Sequence, residues 1–198
     1  MPSLSTLPKQ QPAELLKLAS NCKKSGDIKN AIRILKEAYK AISRTGVDHG
    51  VDVFLRLPRY QQLAGKPEQA WKEFNLLLVE GYPNQNRNEA LIGMDHSIIY
   101  DKMRLFLQKE NCNKEAVKFG IFSWLLWAIA LHKQEKKKDL RSWTAAKNLD
   151  ALLVELLNKA NRTVLHDELK QLLERELASL PVINFPVLGK YINDLILR

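Results

Sequence analysis

The chain has 198 residues, of which 31 are Lys or Arg and 22 are Asp or Glu, so its formal net charge is +9. Apolar residues make up 45% and charged residues 27%, which is an ordinary globular composition. These values exclude a fully disordered chain, a collagen and a small disulfide scaffold. Eight Gly and eight Pro are too few for a loop-rich all-β protein. A chain of this length buries enough surface to fold without disulfides or metals.

The first segments have helical periodicity. Residues 1–11 are expected to be a flexible leader, and a helix over 13–24 is predicted to bury Leu15, Leu18, Ala19 and Cys22. The turn Ser25-Gly26-Asp27 follows, with Asp27 as the cap of a second helix that ends near Thr45. This pattern predicts a helical hairpin.

The pattern returns twice. A second pair of helices runs from residue 51 to residue 63 and from residue 67 to residue 78, and Pro58 predicts a kink or a helix that begins near Leu57. Residues 84–95 are predicted as a loop with a short helix at its end, and Asp95-His96-Ser97 as a helix N-terminus. A third pair then covers about 98–109 and 116–131, and further helices are expected over 140–157, 164–177 and 188–197.

An internal repeat appears when the turns are aligned on Gly26, Gly65 and Asn111, at spacings of 39 and 46 residues. An alanine follows each turn residue by five positions, and a large apolar residue precedes it by eight. We expect each alanine to let two helices cross closely, with the large residue filling the groove beside it. The alanines are Ala31, Ala70 and Ala116, and the large residues are Leu18, Leu57 and Met103.

With these residues, the chain over roughly 12–130 resembles a tetratricopeptide-repeat protein. The turn sequences SGDIKNAI and LAGKPEQAW carry the likeness, and Pro58 departs from the small residue that the family has there. The matching residues are Leu15, Leu18, Ala19, Cys22, Gly26, Ile28, Ala31, Leu35 and Ala38 in the first unit, and Phe54, Leu57, Gly65, Ala70 and Phe74 in the second.

The resemblance implies an all-α fold of stacked antiparallel helical hairpins, in a right-handed superhelix over residues 12–139. Residues 140–198 are expected to form a C-terminal helical cap packed on the repeats. An irregular helical bundle is the alternative architecture. The apolar tail VINFPVLGKYINDLILR either docks on the helices of its own chain or binds another chain.

No sequence motif for catalysis is found, and His49, His96, His132 and His166 are scattered without ligand spacing. We therefore expect no enzymatic activity, no metal and no cofactor. The longest apolar run, from Ile121 to Leu131, is too short to cross a bilayer, so a soluble, cytoplasmic protein without a membrane partner is expected.

The resemblance also implies a function, because repeats of this kind bind proteins or peptides on a concave face lined by the first helix of each unit. The chain would then serve as an adaptor, a partner chaperone or an inhibitor, with an acidic or amphipathic peptide as the expected ligand. The carboxylate clamp of chaperone-tail binders is not reproduced. On this chain the face would include Lys23, Lys24, Asp52, Arg56, Arg59, Gln62, Asp101 and Gln108.

A nucleic-acid-associated protein is the alternative function. Residues 1–44 carry nine basic and three acidic groups, and a second basic run lies at 133–147. Both runs would bind phosphate groups.

Overall fold

The computed structural model describes residues 11–86 and 88–135 and, beyond them, separate positions that include Leu157 and Leu169. Every regular element in the described part is a helix, which confirms the all-α class. The chain divides into two compact units, Met1–Asn86 and Arg87–Arg198, and each is described by itself. The predicted leader before residue 11 and the predicted boundary at 139/140 lie outside the described residues, as does most of the predicted cap.

The first unit begins with a hairpin of α1 (Pro12–Lys24) and α2 (Ile28–Ile42), joined by Ser25–Asp27. Pro12 occupies the first turn of α1, where its missing N–H costs no hydrogen bond. Asp27 caps α2 by accepting the Asn30 backbone N–H at 3.1 Å, as predicted. The buried side of α2 has the spacing of one helical face and consists of Ala31, Ile34, Leu35, Ala38 and Ile42.

The buried side of α1 differs from the prediction. Leu15, Leu16 and Ala19 are buried, whereas Leu18 is 41% exposed and Cys22 is half-buried. The predicted role of Leu18 in filling the groove beside Ala31 is therefore wrong. The apolar positions of α1 allow two faces, and the hairpin selects the one that contains Leu16.

The second hairpin of this unit contains α3 (Val51–Phe54), α4 (Arg56–Leu63) and α5 (Pro67–Val79), with α2 packed against α4. The helical segment before the turn is interrupted at Leu55, so α4 begins at Arg56 and Pro58 is its third residue. This confirms the predicted helix start near Leu57. Pro58 sits in the first turn of α4, where an N–H is not needed for the helical ladder of α4 itself.

The second unit contains a hairpin of α6 (Glu89–Lys109) and α7 (Asn113–Glu135). The predicted loop over 84–95 with a short helix at its end is correct only in part, because the helix is the start of the long α6 and begins at Glu89, where Asn88 caps it by accepting the N–H of Ala90 at 3.0 Å. Asp95, His96 and Ser97 consequently lie inside α6 and not at its N-terminus. Gly93 allows α6 to pack closely on α7, because a Cβ at this position would lie only 3.3 Å from Cβ of Ala130.

The three helix-to-helix turns share one backbone geometry. The residues aligned in the repeat, Gly26, Gly65 and Asn111, all have positive φ, at 83°, 70° and 61°. Each donates its N–H to the carbonyl three residues earlier, at 3.0–3.2 Å, and the next residue donates to the carbonyl five residues earlier, at 2.9 Å. This is the Schellman arrangement that ends a helix.

The geometry continues into the following helix. The N–H of the alanine five residues after each turn donates to the carbonyl of the residue just after the turn, at 3.0–3.1 Å. Ala31 and Ala70 are fully buried and Ala116 is 2% exposed. The predicted burial of these three alanines is confirmed.

Candidate partner-binding surface

The predicted lysines at the end of α1 point in different directions. Lys24 is exposed, whereas Lys23 is half-buried, because consecutive residues of a helix lie about 100° apart. Both also lie in the last turn of α1, where a positive charge stabilises the helix dipole. Lys17, which sequence reasoning did not select, lies about two helical turns before Lys24 and is exposed. The exposed α1 face thus contains Lys17, Leu18 and Lys24, together with Glu14 and Asn21.

The predicted residues of α3 and α4 are better grouped. Arg56, Arg59 and Leu63 recur at i, i+3 and i+7 and therefore lie within an arc of about 60°. Arg59 is exposed, Arg56 is half-buried and Leu63 is 48% exposed. We call these three residues the α4 face. Asp52 is exposed on the separate helix α3, and Gln62 is half-buried beside the α4 face.

Polar contacts hold the end of α3 and the inner side of α4 in place. The Tyr39 hydroxyl of α2 lies 2.7 Å from the carbonyl oxygen of Val53 and 3.1 Å from that of Phe54. Burial raises the pKa of Tyr39 far above its ordinary value, so this hydroxyl stays protonated. Gln61 is 3% exposed and donates its amide to Glu73 of α5 at 3.3 Å. These contacts orient α4 with its cations outward.

The two predicted residues of the second unit are linked through Arg104. Its guanidinium donates to Asp101 at 3.0 Å and to Gln108 at 3.2 Å. The three positions share one face of α6, since they recur at i, i+3 and i+7. Sequence reasoning missed Arg104, although its spacing to Asp101 and Gln108 was the available signal. Asp101 also pairs with Lys102 at 3.2 Å, so its charge is largely compensated within α6.

Asp48 has a structural role between two loops of the first unit. Its carboxylate accepts the N–H of Gly50 at 2.7 Å and that of Asn86 at 3.1 Å. Asn84, at φ 62°, donates its amide to the carbonyls of Ile42 and Val47. These bonds hold the loop before α3 against the loop after α5, and they use the Asp48 carboxylate for structure.

The described residues contain no group of three His, Cys, Asp or Glu side chains able to hold a metal ion. Within the same residues, no helix has the length and hydropathy of a membrane span. Comparison with protein-family models, with curated proteins and with solved structures found no match for this chain.

Proposed function

We propose that this chain is a non-enzymatic, cytoplasmic module of tetratricopeptide-like hairpins that binds a protein or peptide. The observation that carries the proposal is the recurrence of one hairpin geometry at Gly26, Gly65 and Asn111, with its turn hydrogen bonds and its buried alanine. In the first unit the second helix of one hairpin, α2, packs on α4 of the next. Repeat proteins use such packing to present extended binding surfaces.

The first helices of the two hairpins carry exposed leucines beside cations. Leu18 is 41% exposed next to Lys17, and Leu63 is 48% exposed one helical turn after Arg59. An amphipathic peptide would place its apolar side chains on the leucines and its acidic side chains on the cations. Helical peptides bind grooves in this way through contacts spaced at i, i+3, i+4 and i+7.

The α4 face also has the rigidity that a binding surface needs. Leu57 and Tyr60 of α4 are buried, at 5% and 6% exposed, and the Tyr39 hydroxyl fixes the break that precedes α4. A side chain on a fixed helix loses little conformational freedom on binding. The proposal therefore places the strongest partner contacts on Arg59 and Leu63.

Affinity capture tests this proposal. The full chain is immobilised and exposed to nuclease-treated lysate of its source cells, with washes at low and at high salt. We expect a discrete protein to be retained at high salt by the wild type and lost by the Arg59→Glu/Leu63→Ala variant. Lys72→Glu/Leu76→Ala on α5 is the matched control, because it changes an exposed i, i+4 pair of the same chemistry, with Leu76 45% exposed.

Retention by the control but not by the α4 variant supports the proposed surface. Retention by both variants would place the partner elsewhere. Recovery of nucleic acid alone from untreated lysate, lost when salt is raised, would contradict the proposal.

A further inference from the structure

The solvent-facing side of α2 carries a continuous basic stripe. Its members are Lys29, Arg33, Lys36 and Lys40, all exposed and spaced at i, i+4, i+7 and i+11. At about 100° per residue they lie within an arc of about 60°. The centre of this arc is about 180° from the centre of the buried face that contains Ala31, Leu35 and Ala38. The stripe therefore points directly away from the unit.

The stripe has the form of a line. With a rise of about 1.5 Å per residue, the Cα atoms of Lys29 and Lys40 are separated by about 16 Å along the helix axis. Arg44, which is exposed two residues past the C-terminus of α2, adds a further positive charge near that end. Glu37 is the single acidic residue of α2, lies at the edge of the stripe and pairs with Lys40 at 3.0 Å. Positive charge thus dominates the whole length of the helix.

We propose that this basic stripe binds the phosphate backbone of double-stranded nucleic acid without reading its sequence. A duplex is a linear polyanion whose phosphates retain condensed counterions, and their release on contact with Lys or Arg drives binding. The match is one of charge and extent, since an exposed row of cations about 16 Å long can contact several phosphates of the duplex backbone. Arg33 and its neighbours would supply the contacts that position the protein on the duplex.

The side chains of the stripe favour a duplex over two other polyanions. Binding of single strands depends on aromatic side chains that stack on bases, and the exposed residues of α2 are Lys29, Asn30, Arg33, Lys36, Glu37 and Lys40. A helix that lies in a membrane surface inserts exposed apolar side chains. The apolar residues Ala31, Ile34 and Leu35 of α2 are buried within the unit, so they are not presented to a membrane.

This inference goes beyond the proposed function, because it concerns α2 and not the α1 and α4 faces. If the α2 stripe does not bind a duplex, the protein-binding proposal still stands. If changing Arg59 and Leu63 removes a protein partner, that result says nothing about binding by the α2 stripe.

Fluorescence anisotropy with a labelled 20-bp duplex of arbitrary sequence tests the inference. For the full chain we expect the logarithm of the binding constant to fall with the logarithm of salt concentration at a slope of about −3.6, as four phosphate contacts predict. Affinity would then fall about a hundredfold between 50 and 200 mM salt. The variant Arg33→Glu/Lys36→Glu should bind at least about tenfold more weakly at 50 mM salt, with a slope about half as steep.

The matched control is Lys66→Glu/Lys72→Glu, which changes two exposed lysines at and near the start of α5 and produces the same net charge. We expect it to keep affinity within about threefold, because screening limits the effect of distant charges. Equal weakening of both variants would overturn the proposal, because the affinity for the duplex would then depend on the net charge of the protein and not on the position of the stripe. Where the Glu variant does not fold, Arg33→Gln/Lys36→Gln replaces it, with the same change in slope expected.

Competition separates the possible polyanions. Unlabelled duplex should displace the probe, whereas polyglutamate and vesicles of phosphatidylcholine with phosphatidylserine should not at equal anion concentration. Displacement by vesicles or by polyglutamate as effective as that by duplex would overturn the assignment to nucleic acid.

Discussion

The hydroxyl of Tyr39 donates a hydrogen bond to the backbone carbonyl of Phe54, which has no helical donor because residue 58 is a proline. Pro58 has no N–H, so the carbonyl four residues earlier, that of Phe54, lacks a helical partner. The Tyr39 oxygen lies 3.1 Å from this carbonyl oxygen and 2.7 Å from that of Val53. Its ring also contacts Phe54, with the ring centroids 4.8 Å apart. One side chain of α2 thus stabilises the break between α3 and α4.

This relationship predicts an energetic coupling between Tyr39 and Pro58. Tyr39→Phe leaves buried carbonyls without this donor and should lower the free energy of unfolding by about 1–2 kcal/mol. In a Pro58→Ala background, the restored N–H at position 58 should reduce that loss by at least half. A double-mutant cycle from denaturant unfolding measures the coupling. An equal loss in both backgrounds would show that the hydroxyl does not compensate for the proline.

The buried alanines predict sensitivity to added volume. Ala31→Leu or Ala70→Leu places extra methylene groups in a close helix crossing and should lower the free energy of unfolding by about 1–3 kcal/mol. Ala13→Leu is the control, because Ala13 is exposed on α1, and it should change stability by less than about 0.5 kcal/mol. Unchanged unfolding midpoints for both core variants would contradict the assigned register of the repeat.

Substitutions at the turn residues should lower the stability of the fold through backbone conformation alone. A Cβ added to Gly26 or Gly65 meets nothing within 4 Å, so only the positive φ opposes Ala. Each Gly→Ala change should lower stability by about 1–2 kcal/mol. Asn111→Ala should also destabilise, whereas Asn111→Gly should be neutral or stabilising, because Gly tolerates φ 61° without strain. Thermal unfolding checks the series, and a tolerated Gly65→Ala would contradict the turn geometry.

His96 predicts a loss of stability in mildly acidic solution. Burial lowers the pKa of His96 below its ordinary value of 6.5, against a smaller opposite effect of Asp95. The unfolded chain therefore binds a proton more readily than the folded chain, so this contribution is complete above pH 6.5 and is lost as the pH falls below it. His96→Gln should reduce the decrease in stability on acidification below pH 6.5. An NMR titration that places the His96 pKa at or above 6.5 would contradict this prediction.

Short-range signals in the sequence were sufficient to predict much of the fold. The turns at Gly26 and Gly65, the cap at Asp27 and the alanines five residues after each turn depend on local backbone chemistry, and the structure confirms them. Pro58 likewise marked the start of α4. Such features require no knowledge of what packs against the helix.

Features that depend on tertiary contacts were missed. Leu18 and Leu16 are equally apolar, and only the position of α2 determines which of them is buried. The polar residues at the start of α6 suggested a loop because sequence does not show that Gly93 meets Ala130 of α7. Arg104 was missed as the link between Asp101 and Gln108 because a charged residue on a helix face is usually solvated.

The proposed function is tested most directly by calorimetric titration of the protein that the full chain retains at high salt. The wild type and the Lys72→Glu/Leu76→Ala control should bind it with affinities within about twofold of each other, whereas Arg59→Glu/Leu63→Ala should bind at least about tenfold more weakly, as removal of a central contact produces. Circular dichroism should show all three chains equally helical. Equal affinity of the wild type and the Arg59→Glu/Leu63→Ala variant would contradict the assignment of partner binding to the α4 face.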